Sequence, residues 1–139
     1  MSAALEDVRA ELNTRCDAIE ECYEYMLAYA AQGVVTEGPQ IRGFLQRCDQ
    51  AITDLIGLST KFAGTLKTAA APYAAFMAVV ETDARASQAA VQLALAQTVI
   101  MSQLVDNLNA SIHLRALLTD LFLIDEIVRP QNATTTATS

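Results

Sequence analysis

At 139 residues, with 53% hydrophobic and 18% charged residues, the chain has the length and composition of one packed domain and is too apolar for a disordered one. A net charge of −7 sets it against a phosphate backbone, which argues against nucleic acid as a partner and for a basic or apolar surface instead. Three cysteines with no C-x-x-C pair, behind an acidic opening MSAALEDVRAEL that lacks the basic and apolar regions of a secretion signal, suit a reducing compartment, and the expected location is the cytoplasm.

The first element runs to Gly33. Leu5, Val8, Leu12, Cys16, Ile19, Tyr23, Met26 and Ala30 recur every three or four positions, the spacing of one helix face. This helix carries seven carboxylates (Glu6, Asp7, Glu11, Asp17, Glu20, Glu21, Glu24) against Arg9 and Arg15, and so most of the acidity. Asp17, Glu20, Glu21 and Glu24 fall opposite the Leu12/Ile19/Tyr23 stripe, where a solvated face belongs. Gly33 reads as a C-cap and GVVTEGP as a loop, with Pro39 opening the next helix.

The second helix is marked by Ile41, Phe44, Leu45, Cys48, Ile52, Leu55, Phe62 and Leu66. Pro72 opens a third, alanine-rich helix on Tyr73, Phe76, Met77, Val80, Ala84, Ser87, Val91 and Ala94, whose small residues allow close approach of neighbours. The uncharged stretch from Ala86 to Val105 contains seven Ser, Thr and Gln residues, too polar for a membrane span, so no membrane partner is expected. No Gly or Pro separates the third helix from the fourth, and Thr98 or Ser102 is the candidate cap. Pro130 ends the fourth helix.

No stretch alternates as a strand does. Four helices of about 25 residues, each near 40 Å long, joined by short loops, predict an all-α, up-down-up-down four-helix bundle. It occupies residues 1–129 as a single domain, and residues 130–139 form a flexible, disordered polar tail.

The chemistry is bounded by what is missing. A di-iron bundle needs Glu-x-x-His on two helices, and the one histidine, His113, has Ala110 three residues before it. No Gly-rich phosphate loop, nucleophile elbow or zinc spacing occurs, so no catalytic, cofactor-binding or metal residue is assigned and an enzyme is the third-ranked reading. The N-x-S/T patterns at Asn109 and Asn132 carry little meaning without a secretion signal.

Cys16 and Cys48 lie on core stripes and Cys22 beside one. If the first two helices fold back about the loop near residue 36, Cys22 falls within a turn or so of Cys48, giving a candidate thiol pair with Met26 nearby. Asp106, Asn109, His113 and Asp120 share one stripe of the fourth helix, with Arg115 on its apolar side, a candidate polar network. A Cys–His–Asp nucleophile from these groups has no oxyanion donor to serve it.

Apolar surface is left over. Cys22, Tyr25 and Tyr29 form a second stripe on the first helix. Leu114, Leu117, Leu118, Leu121, Phe122, Leu123, Ile124, Ile127 and Val128 cover nearly the whole circumference of the fourth. Covering both faces calls for another chain, so Cys22, Tyr25, Tyr29, Leu114, Leu118, Leu121, Phe122 and Ile124 are the candidate interface of a homodimer. The leading expectation is a non-enzymatic helical interaction module acting as adaptor, small chaperone or regulator of a larger partner. The alternative is a bundle binding a small ligand or a soft metal, or cycling a thiol pair, at Cys22, Cys48 and Met26.

Overall fold

The computed structural model describes residues 3–65 and 70–128, all of whose regular structure is helical. Five helices follow in order: α1 (Ala3–Ala31), α2 (Ile41–Thr65), α3 (Ala70–Leu95), α4 (Ser102–Ala110) and α5 (His113–Val128). The tail expected from 130 to 139, and Leu66 of the second stripe, lie outside the described residues. No described helix is long and apolar enough to cross a membrane.

The core is one cluster built from a seam on each long helix. On α1 the buried residues are Val8, Leu12, Cys16, Ile19, Cys22, Met26 and Tyr29; on α2 they include Ile41, Leu45, Cys48, Ile52 and Leu55. Each fully buried Ile, Leu or Met contributes about 1.5–3 kcal/mol by leaving water. Met77, Val80, Ala84, Ser87, Val91 and Ala94 form the α3 seam, half of it small side chains. α1 packs against α2, α4 and α5, α2 against α3, and α3 against α5.

The seam of α1 departs from the expected one. Cys22 and Tyr29 are fully buried, whereas Tyr23 and Ala30, one position on, are only half-buried. A helix with neighbours on several sides buries a wide arc, so both flanks of the predicted stripe are used.

The expected single fourth helix is two helices. Ser111 closes α4, its hydroxyl donating to the Leu108 carbonyl at 2.6 Å, and Ile112 then takes a left-handed φ of +62°. The Ile112 carbonyl accepts from Ala116 N–H at 2.9 Å and starts α5. A β-branched side chain is disfavoured in that conformation, so neighbouring packing must hold it there. On the two sides of this turn, Val105 of α4 and the α5 residues Leu114, Leu117, Leu118, Leu121 and Ile124 all reach the core.

The loops at one end are tied together by side chains. Gly33 ends α1 with φ +65°, as the C-cap reading requires. Tyr29 Oη donates to the Ile100 carbonyl at 2.6 Å and accepts from Gly38 N–H at 3.0 Å. Ser102 does not cap α4 with its side chain: Met101 is the N-cap residue, without a side-chain hydrogen bond. Instead Ser102 Oγ donates to the Tyr29 carbonyl at 2.6 Å and accepts from Val34 N–H at 2.8 Å. Its own N–H meets the Val34 carbonyl at 2.9 Å.

Glu37 and Arg42 complete the fastening. Arg42 holds Glu37 in a two-pronged pair at 2.8 and 3.0 Å and donates to the Leu95 and Gln97 carbonyls, each at 2.9 Å. A cation at the C-terminal end of α3 also suits the helix dipole. Glu37 in turn accepts from Ile100 N–H at 3.1 Å, and Arg42 with this bond holds its carboxyl below the usual range.

Candidate functional site

The helix spacing of α1 places Cys22 and Met26 one turn apart on its buried side, facing α2. Cys22 Sγ donates to Met26 Sδ at 3.7 Å. Cys48 lies across from it on α2, where the neighbouring Cys22 thiol and burial raise the Cys48 thiol far above its ordinary range. The two residues of the candidate thiol pair are thus neighbours across α1 and α2, with the Met26 thioether beside Cys22. Both thiols are reduced and fully buried.

Cys16 stands apart from this group, at a groove between α1 and α5. The groove, of about 260 Å³, is lined by Leu12, Cys16, Leu121, Phe122 and Ile124 together with Asn13, Asp17 and the Arg9–Asp125 pair, 3.1 Å apart. Burial, reinforced by Glu20, Asp17 and Asp125, pushes the Cys16 thiol up to about 11. A thiol held protonated in this way is a poor nucleophile.

The candidate interface is redrawn by burial. Cys22, Tyr29, Leu114, Leu118, Leu121 and Ile124 are all at most 5% exposed inside the chain's own core, so no partner reaches them. Their side chains are covered because α1 and α5 pack on each other and on α4 and α3. Tyr25 is half-buried in a different role: its ring stacks on Phe44 of α2 at 4.0 Å between centroids, with Arg47 over the far ring at 4.5 Å.

Of the eight, Phe122 is the one left open to water, at 50%. Leu123 at 48% and Ile127 at 44% are exposed on the same outer side of α5, with the exposed Glu126 among them, so these three are the large apolar side chains left open on this helix among the described residues. The sequence carried the signal in the all-round apolar character of this helix. Only the packing shows which side is spare.

The candidate polar network does not assemble, because the turn at Ile112 rotates α5 relative to α4 and breaks the stripe. Asp106, His113 and Arg115 are exposed. Asn109 Nδ2 donates to the Met26 carbonyl of α1 at 3.2 Å. Asp120 faces α3, where burial and the neighbouring Asp83 carboxyl raise its own carboxyl to about 7.

On the acidic face of α1, Asp17, Glu21 and Glu24 are exposed and Glu20 half-buried. Among the described residues no three His, Cys, Asp or Glu side chains gather where they could hold a metal ion. Comparison with protein-family models, curated proteins and solved structures found no match to this chain.

Proposed function

We propose that the protein is a non-enzymatic helical interaction module that works as a homodimer in the reducing cytoplasm, as an adaptor, small chaperone or regulator of a larger partner. In this reading α1, α2, α3 and the α4–α5 pair are the four rods of an up-down-up-down bundle, with α4 and α5 sharing the fourth place.

The observation that carries it is the row Phe122, Leu123 and Ile127, each close to half exposed, beside the groove of Leu12, Cys16, Leu121 and Ile124. Apolar residues clustered in this way mark a contact surface. An aromatic knob next to an apolar groove is self-complementary under a two-fold axis, where each Phe122 enters the partner's groove. Arg9 and Asp125, of opposite sign in the groove's lining, suit the polar border of such an interface.

Light scattering across the micromolar range tests it. A dimer is expected for the wild type, and a monomer of unchanged helix content for Leu123→Glu/Ile127→Lys. A wild type that is monomeric throughout, or a dimer that survives both substitutions, overturns the proposal.

A further inference from the structure

Three buried sulfur side chains lie on the facing seams of α1 and α2, with Cys22 the common neighbour. Cys22 donates its S–H to Met26 Sδ at 3.7 Å, and across the helix pair Cys22 stands close enough to Cys48 to hold that thiol protonated. All three side chains are at most 1% exposed. The set is uniformly soft: two thiols and a thioether, with the chain's one histidine exposed at the start of α5.

We propose that Cys22, Met26 and Cys48 bind a single cuprous ion through two thiolates and one thioether. Soft sulfur ligands select a soft monovalent ion over hard cations that seek oxygen. The spacing suits it: two sulfurs each about 2.3 Å from a shared ion lie roughly 3.8–4.0 Å apart, close to the gap already present between Cys22 and Met26. Structural zinc takes four ligands in a closed site, and this trio offers three with water excluded. Cuprous ion accepts three-coordination by sulfur, and with two thiolates and a neutral thioether the loaded centre carries one net negative charge.

Binding balances without a redox change. The ion arrives as Cu(I) on a soluble thiol or chelator complex, which it leaves. The two thiols each form a Cu–S bond as their S–H bonds break, and two protons pass to solvent. Met26 donates a lone pair and releases nothing. The site is distinct from the α5 contact face and does not depend on dimerisation.

The test is anaerobic titration of the reduced protein with Cu(I) held by bicinchoninate. The wild type and Cys16→Ser are expected to withdraw one copper per chain from the competitor. Cys22→Ser and Cys48→Ser are expected to withdraw none. Met26→Leu should weaken retention by at least about tenfold, since even outer-shell changes cost that much at metal sites. Helical circular dichroism checks each variant. Should a serine variant unfold, X-ray absorption on the copper-loaded wild type decides. Three sulfur neighbours support the site, whereas fewer sulfurs, or nitrogen and oxygen neighbours, overturn it. Failure of the wild type to compete, or retention of copper by folded Cys22→Ser or Cys48→Ser, also overturns it.

Discussion

Replacing Tyr29 by Phe removes one oxygen atom and tests whether the loop fastening holds the fold together. The ring keeps its place against Tyr25 and the core, so apolar burial changes little. The hydroxyl, however, donates to the Ile100 carbonyl at 2.6 Å and accepts from Gly38 N–H at 3.0 Å, joining the α1–α2 loop to the segment before α4. Each lost bond is worth about 1 kcal/mol net, and a buried carbonyl left without a partner adds about 1 kcal/mol or more.

The Ile100 carbonyl is buried and the Gly38 amide partly so, which gives an expected loss of about 2–3 kcal/mol. For a chain of this size that lowers Tm by roughly 5–12 °C. Urea unfolding followed by helical circular dichroism is the assay, with the m-value expected unchanged. A loss under about 0.5 kcal/mol would mean that water replaces the hydroxyl at no cost, and the fastening argument would fail. Ser102→Ala, which frees the Tyr29 carbonyl and the Val34 amide of the same junction, should couple to Tyr29→Phe in a double-mutant cycle rather than add to it.

Two further substitutions probe the α4–α5 end. Ile112→Asn should stabilise the protein by about 1 kcal/mol, because asparagine tolerates the left-handed φ of +62° that a β-branched residue resists. With Ile112 already 55% exposed, little burial is lost, and a lower urea midpoint would show that the side chain is needed where it is. Asp120→Asn tests the carboxyl pair with Asp83. A carboxyl raised from 3.8 to about 7 contributes stability that is full below its unfolded value and lost as pH rises through about 7. The wild-type unfolding free energy from urea titration should therefore fall between about pH 4 and pH 7, by about 1 kcal/mol once solvent screening is counted, while that of Asp120→Asn stays level. Parallel pH curves for the two proteins would disprove the linkage.

The helical class and most buried positions of α2 and α3 were legible from local spacing, because burial on a helix repeats every three to four residues whatever the partner. On α1 the stripe was legible only as far as Ile19 and at Met26. Gly33 marked the end of α1 for an equally local reason, its freedom at positive φ. A fold-back near residue 36 put Cys22 within about a turn of Cys48 by equal rise along two helices, but did not say which way either side chain faces.

Everything that depended on direction around a helix, or on residues distant in sequence, waited for the tertiary structure. The break at Ser111–Ile112 has no Gly or Pro to announce it; packing on both sides holds a strained isoleucine in place. Glu37, Arg42, Tyr29 and Ser102 gave no sign of their joint role, since their bonds link loops dozens of residues apart. On α5, apolar character all round stated that something must cover the helix. Which residues the chain covers itself, and that Phe122, Leu123 and Ile127 are left over, was decided only by where α1 and α3 lie against it.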